Sequence, residues 1–219
     1  AVKRYVFDDF NEEQYQQVHA GTNEQYNEVW WFYCSAGSTE IDRYVVYNYV
    51  QNIWYYGTMG RTAWLDSDLK ANPIGATYNN NLVYHEYGVD DKETATAQAI
   101  SAYVASAQFD IESGDRFSFI WRVLPDMTFT GSTAESPAAT MTLLPLANSG
   151  AGYNSPLSEG GVNSAAVTRT ATLPIEQYTG QINTRVRGRQ LAVKIESNAL
   201  GVQWQLGTPR IDIRPDGRR

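Results

Sequence analysis

The sequence has one cysteine, two histidines and no long hydrophobic run, and each scarcity excludes a class of protein. A lone cysteine, Cys34, cannot form an internal disulfide, so packing must supply the stability and a reducing compartment is permitted. His19 and His85 lie 85 − 19 = 66 positions apart, and no further residues complete a zinc spacing. No apolar run approaches the roughly 18 residues that span a bilayer. We therefore predict no metal, no cofactor and no membrane-spanning segment.

Catalytic motifs are also missing from the chain. There is no P-loop, no GxGxxG and no GxSxG, and the acidic residues at 66–68 are too few for a calcium loop. The acidic pairs at 8–9 and 12–13 are better explained by helix capping and solvation than by acid–base catalysis. We expect no catalytic residues and no enzyme, although two carboxylates for glycoside hydrolysis can meet in space without any sequence signal.

Aromatic residues are abundant, with 15 Tyr, 6 Trp and 7 Phe. Three short runs at 29–34, 44–49 and 53–56 are dense in aromatic and β-branched residues, and turn residues separate them. This pattern predicts an antiparallel meander of three strands. Val83 follows Val29 by 83 − 29 = 54 residues, an interval close to the roughly 50 residues of a kelch-type propeller blade. A propeller blade and an ordinary meander both fit.

The N-terminal residues and the middle of the chain are predicted as follows. Residues 2–7 form a strand, and residues 11–18 form a short helix capped by Asn11. Strands at 99–110 and 117–124 complete a second blade. A short strand at 140–146 lies at a sheet edge because it contains Pro145. The loops at 131–139 and 147–164, rich in Gly, Ser, Asn and Pro, are exposed, and the longer one is either mobile or ordered by a partner subunit.

The C-terminal residues are predicted as strands interrupted at one glycine. In 184–197, three arginines share a parity with three aliphatic residues, which one regular half-buried strand cannot satisfy. A bulge or kink at Gly188 would flip the register. Residues 202–206 and 210–214 follow as strands, with Ile211 and Ile213 facing inward. The prediction is an all-β protein of antiparallel sheets: propeller-like blades with a short N-terminal helix over 1–126, then a C-terminal β-sheet or sandwich segment over 127–219.

Charge is distributed unevenly along the chain, whose net charge is −7. From residue 185 onward the balance is 8 − 3 = +5, and the first 184 residues carry 9 − 21 = −12. A basic end on an acidic body indicates a nucleic-acid contact, a docking face for an acidic partner, or a solvated surface with ion pairs. The candidate partner-docking residues are Arg185, Arg187, Arg189, Arg210, Arg214, Arg218 and Arg219.

Several sequence blocks resemble the β-propeller portion of tail hub or nozzle proteins of short-tailed bacteriophages. They are NEVWWFY at 27–33, RYVVYNY at 43–49, IWYYG at 53–57, GRQ at 188–190, IES at 195–197, WQLG at 204–207 and the terminus RIDIRPDGRR at 210–219. The terminal block is the most specific of these. Members of that family are longer, so the resemblance implies that this chain is the C-terminal part of such a protein.

The resemblance implies a structural protein of the virion, assembled in the host cytoplasm. Such proteins form a homo-oligomeric ring, usually sixfold, below the portal and adaptor, enclose the genome channel and anchor fibres. Double-stranded DNA would pass through without specific binding. The alternative is a carbohydrate-binding or glycan-cleaving β-propeller. A sequence-specific DNA binder fits less well, because no helix carries a recognition pattern and the body is acidic.

Overall fold

The computed structural model describes residues 2–147 and 170–217. The chain divides into two compact units: unit 1 comprises Ala1–Gly88 and Lys92–Ala95, and unit 2 comprises Val89–Asp91 and Thr96–Arg219. Residues 96–126 thus belong with the C-terminal part, whereas the sequence placed them with the N-terminal blades. The all-β prediction is confirmed, since the described residues form several antiparallel sheets. The propeller-like arrangement stays a prediction.

Unit 1 begins with helical turns and continues as two sheets. The helices are α1 (Val2–Asp8) and the 3-10 helices Glu12–Gln17 and Glu24–Tyr26. A four-stranded antiparallel sheet has the order β1-β2-β3-β4: β1 (His19–Asn23), β2 (Glu28–Tyr33), β3 (Arg43–Asn48) and β4 (Ile53–Thr58). A three-stranded sheet has the order β5-β6-β7: β5 (Ala63–Leu65), β6 (Ile74–Ala76) and β7 (Leu82–Tyr84).

Of the two predictions for the N-terminal residues, the strand is wrong and the helix is confirmed. The strand predicted at 2–7 is wrong, because these residues form α1. An Arg4–Asp8 ion pair of 2.9 Å joins consecutive turns, and Tyr5 stacks on Tyr56 of β4 at 3.7 Å between ring centroids. The helix predicted at 11–18 is confirmed as the 3-10 helix Glu12–Gln17, and the Asn11 side chain accepts the Glu13 backbone N–H at 3.0 Å.

The predicted three-stranded meander is confirmed as β2, β3 and β4. Side chains alternate between the two faces of this sheet, so Trp30, Phe32 and Val46 share the buried face. Trp64 of β5 packs onto the same face, with its ring 5.2 Å from that of Trp30. A Cβ atom on Gly21 would lie 2.1 Å from the Trp64 ring, so only glycine leaves room for it. This packing joins the two sheets of unit 1.

Unit 2 contains the remaining twelve strands of the described residues, in four sheets. They are β8 (Asp90–Asp91), β9 (Gln98–Ala99), β10 (Ala102–Ala105), β11 (Phe109–Asp110), β12 (Ser118–Leu124), β13 (Met127–Thr128), β14 (Ala138–Leu146), β15 (Ala171–Glu176), β16 (Ile182–Gly188), β17 (Gln190–Ser197), β18 (Gln205–Leu206) and β19 (Arg210–Pro215). The sheets are β10-β17-β14-β15 with β11 also on β17, then β16-β12-β19, β13-β18 and β8-β9. The strand predicted at 99–110 is therefore three short strands, and the strand at 117–124 is confirmed.

The two larger sheets of unit 2 share one hydrophobic core, which includes Ile120, Val186, Leu143 and Ile195. The edge position predicted for the strand around Pro145 is wrong. β14 lies between β15 and β17, but its pairing with β15 ends at Leu143. Pro145 therefore lies beyond that ladder, and its missing N–H leaves the β14–β15 pairing intact.

The break predicted at Gly188 is confirmed, and the chain changes sheet there. β16 ends at Gly188 and β17 begins at Gln190 in the other sheet. A Cβ atom on Gly188 would lie 2.9 Å from the Pro145 Cβ. The Arg189 N–H then donates to the Leu146 carbonyl at 2.9 Å. The arginines before Gly188 and the aliphatic residues after it therefore lie in different sheets. Residues of the same parity can then face solvent in the first strand and the core in the second.

The structure describes the whole of the first predicted loop, at 131–139, but only residue 147 of the second. Residues 138–139 of the first loop lie in β14, and the loop is tied to residues 201–203. The N–H groups of Thr133 and Ala134 donate to the Gly201 carbonyl at 2.8 and 3.0 Å. Ser132 Oγ donates to the Gln203 carbonyl at 2.8 Å. Of the second loop, residues 148–164 lie outside the described residues.

Candidate functional site

The candidate site is the outer face of the β16-β12-β19 sheet, which we call the arginine–aromatic face. It carries Phe117, Phe119, Trp121, Arg122, Arg185, Arg187, Arg214, Asp212 and the neighbouring Arg189 and Asp216. The other face of the sheet packs into the core through Ser118, Ile120 and Val123 of β12. At the register shift between Ile120 and Arg122, β12 has one residue more than β19 and one fewer than β16. Because of this bulge, Ile120 and Val123 both point inward although they are three positions apart.

Strand register brings the predicted arginines together across β12. Phe119 pairs with Arg187 of β16 on one side and with Arg214 of β19 on the other. Paired residues of antiparallel strands point to the same face. Arg185 shares its parity with Arg187, so it also points outward, and it is exposed. Residues separated by up to 214 − 119 = 95 positions along the chain thus form one surface.

Each of two aromatic rings on this face has two arginines over it. The Cζ atoms of Arg187 and Arg189 lie 4.0 and 4.8 Å from the Phe117 ring centroid. Those of Arg122 and Arg214 lie 4.7 and 5.1 Å from the Trp121 centroid. Stacking fixes a guanidinium by its flat side while its N–H edge can still donate to a carboxylate or phosphate. The face therefore presents oriented cationic donors.

Two aspartates partly neutralise the arginine–aromatic face. Arg122 pairs with Asp212, and Arg187 pairs with Asp216. All four side chains are between 32% and 46% exposed, so solvent screens both pairs and each is worth at most about 1 kcal/mol. Within the described residues, no carboxylate engages Arg185 or Arg214. A net positive charge remains available to a partner.

The structure places the other predicted arginines less centrally. Arg210 is exposed at the start of β19, opposite Leu124, and lines a shallow pocket of about 340 Å³ together with Tyr178 and Asp126. Arg218 and Arg219 lie outside the described residues. The role of all seven arginines in docking stays a prediction, since no partner is present.

Sequence reasoning missed the acidic members of this face and the pairing of its aromatic rings with arginines. Phe117, Phe119 and Trp121 alternate in the sequence with Ser118, Ile120 and Arg122, which is typical of a strand with one aromatic face, but nothing in the sequence pairs that face with arginines. The Arg122–Asp212 contact spans 90 positions. The only available signal was the alternation of charged and apolar residues in β19.

A carbohydrate pocket was the main alternative, and it would require aromatic rings near carboxylates. Trp30 and Trp54 lie on opposite faces of the unit 1 meander, because their positions along β2 and β4 have opposite parity. Glu28 is buried, accepts the Trp30 indole N–H at 3.0 Å and accepts the Tyr55 hydroxyl. Burial, followed by the hydrogen bond to Glu28, raises the pKa of Tyr55. Trp54 stacks on Tyr47 at 4.5 Å, away from this carboxylate.

Cys34 and His85 both lie in settings that disfavour chemical reactivity. Cys34 is buried, and burial raises the pKa of its thiol, which disfavours the reactive thiolate. Arg61 Nε donates to His85 Nε2 at 3.0 Å. Burial, followed by the charge of Arg61, lowers the pKa of His85 to about 3. This histidine is a neutral acceptor in a structural network that continues from Arg61 to Glu93 at 3.0 Å.

Residues 2–147 and 170–217 offer neither a cluster of metal-ligating side chains nor a membrane-spanning helix. Among these residues no group of three or more His, Cys, Asp or Glu side chains is placed to hold a metal ion. In the same ranges no helix combines the length and apolar character needed to cross a membrane. Comparison of the sequence with protein-family models and with curated proteins gave no match.

Proposed function

We propose that the chain is part of a structural virion protein of a phage tail, a hub or nozzle, which contributes to a ring-shaped conduit for genome ejection. The support is the resemblance of the sequence blocks, of which the terminus at 210–219 is the most specific. The observation that carries the proposal is the arginine–aromatic face on an otherwise acidic chain. That face docks an acidic neighbouring tail protein, such as the adaptor or a fibre, through charge-assisted hydrogen bonds.

The acidic remainder of the chain suits a conduit through which DNA slides. Duplex DNA carries one phosphate charge per about 1.7 Å of axis. A protein with net charge −7 repels it, so the genome passes without being bound. The basic residues lie on a protein-docking surface and do not line the channel. We expect no retention of plasmid DNA at moderate salt.

Electron microscopy of virions tests the proposal directly. Antibodies raised against the chain should label the tail, and the purified assembly should appear as a ring. A virion without label, or a ring whose channel is lined by the arginine–aromatic face, would refute the proposal. Arg185→Glu combined with Arg214→Glu should weaken binding of the acidic neighbour, whereas Lys3→Glu, far from β16 and β19 in sequence, is the matched control.

One observation favours the alternative, a carbohydrate-binding protein. Trp54 is 49% exposed and belongs to a stack with Trp31 and Tyr47 on the outer face of the meander. Exposed rings can support a sugar, but stacking rings on one another covers part of each ring surface. A glycan array and a hydrolysis assay decide between the two. Sugar binding that is lost in Trp54→Ala would favour the alternative.

A further inference from the structure

β19 is the outermost strand on one side of the β16-β12-β19 sheet. Every residue of β19 pairs with β12, and no other strand of the described residues pairs with it. An open edge presents a row of unpaired backbone N–H and C=O groups, and an extended segment of a partner can hydrogen-bond to such a row and add a strand. The free edge of β19 is therefore a candidate interaction surface.

Hydrogen bonds just beyond β19 show which of its backbone groups face the free edge. The Phe117 N–H donates to the Gly217 carbonyl, and the Asp216 N–H donates to the Phe117 carbonyl, each at 2.8 Å. Backbone groups of successive strand residues point alternately to the two sides, so every second residue counted back from Asp216 also faces β12. The N–H and C=O groups of Ile211 and Ile213 consequently face the free edge. Within residues 2–147 and 170–217, no other segment bonds to them.

The side chains of β19 divide between two environments. Ile211 and Ile213 pack against the core of unit 2 but remain partly exposed, so an added strand would extend that core. Arg210 and Arg214 are exposed on the opposite face, and no carboxylate of the described residues pairs with either. Asp212 lies between them and already has an arginine partner. A complementary strand is thus apolar on one face and acidic opposite the two arginines.

We propose that the acidic neighbouring protein binds by adding an antiparallel strand to the free edge of β19. The added segment places apolar residues opposite Ile211 and Ile213 and acidic residues opposite Arg210 and Arg214. An uncharged polar residue stands opposite Asp212, because like charges directly opposite each other are destabilising. Main-chain hydrogen bonds supply affinity, and the alternating side chains supply specificity. The inference rests on the proposed function, since it specifies the kind of segment with which that partner binds.

Amide hydrogen exchange followed by NMR tests this inference. The probe is the capped pentapeptide Glu-Val-Thr-Val-Glu, which carries the required alternation. A short peptide with a Kd of about 1 mM, added at about 5 mM, should slow exchange of the Ile211 and Ile213 amide protons about sixfold, by mass action. Unchanged exchange would refute the inference, because the arginines and Pro215 would then only guard the edge against pairing. Exchange that slows without peptide as the protein concentration rises would show that a second copy covers the edge, and would refute it as well.

Modified peptides separate strand addition from attraction between charges. In an antiparallel pairing, the two valine N–H groups donate to the carbonyls of Ile211 and Ile213, whereas the threonine N–H points away from β19. N-methylation of both valines should therefore abolish the slower exchange, and N-methylation of the threonine should preserve it. The peptide Lys-Val-Thr-Val-Lys should slow exchange less than the glutamate peptide, because it places positive charges against the arginines. Equal effects of the two N-methylated peptides, or of the lysine and glutamate peptides, would contradict strand addition.

The inference and the proposed function fail in different experiments. Unprotected Ile211 and Ile213 amides in a chain that virions contain refute strand addition and leave the proposed function intact. A chain absent from virions refutes the proposed function.

Discussion

The neutral His85 makes the stability of unit 1 sensitive to acid. In the folded chain Arg61 Nε donates to His85 Nε2 at 3.0 Å, and a proton on that nitrogen would face the guanidinium. The pKa is lowered from 6.5 to about 3, first by burial and then by the charge of Arg61. The unfolded chain binds a proton below about pH 6.5, whereas the folded chain does so only near pH 3. Folding stability is therefore lost as the pH falls through this window.

The size of this loss follows from the shift in pKa. Each pH unit inside the window costs up to about 1.4 kcal/mol, which gives about 2.5 kcal/mol between pH 7 and pH 4.5. The His85 ring keeps some contact with solvent, so we expect a loss between about 1 and 2.5 kcal/mol. Acidic residues titrate over the same range, and a comparison of two variants is needed to separate their contribution.

Urea denaturation of the wild type and of His85→Gln provides that comparison. The glutamine carbonyl can accept the Arg61 hydrogen bond but does not titrate. The free energy of unfolding of the wild type, relative to the variant, should fall by the expected amount between pH 7 and pH 4.5. Tryptophan fluorescence reports mainly on unit 1, which holds four of the six tryptophans. A pH-independent difference, or an NMR titration of His85 near pH 6.5, would refute the reasoning.

Three further predictions concern packing and the arginine–aromatic face. Gly21→Ala should destabilise unit 1 by about 1–3 kcal/mol, because the new Cβ would lie 2.1 Å from the Trp64 ring; thermal melting measures this. Leu143→Ala should cost about 2–5 kcal/mol in urea denaturation, since Leu143 is fully buried in the unit 2 core. A double-mutant cycle with Arg122→Leu and Asp212→Asn should give a coupling of at most about 1 kcal/mol that shrinks in high salt.

Matched controls make these outcomes decisive. Gly37→Ala should leave the melting temperature unchanged, because nothing lies within 4 Å of the added Cβ. Leu200→Ala should change stability by no more than about 0.5 kcal/mol, since Leu200 is 53% exposed. If either control were as damaging as its buried counterpart, the packing explanation would be wrong. A coupling well above 1 kcal/mol would show that the Arg122–Asp212 pair is more shielded from water than its exposure indicates.

The sequence by itself determined the features that depend on neighbouring residues. The density of aromatic and β-branched residues in three short runs placed β2, β3 and β4, because these side chains suit a pleated, half-buried surface. Asn11 marked the start of a 3-10 helix through a hydrogen bond two residues away. The conflict of parity around Gly188 located the change of sheet, because no single regular strand can reconcile the two patterns.

Only the tertiary structure decided which strands meet. β12 pairs with β16 and β19, with paired residues 59 to 97 positions apart along the chain, and this pairing puts arginines over Phe117 and Trp121. Local patterns carry no information about such distant partners. The same limit explains why residues 2–7 form a helix despite their β-branched residues, and why Pro145 lies in an inner strand. A side chain's preference biases its local backbone, but the packing of distant segments decides which neighbours it meets and therefore what it can do.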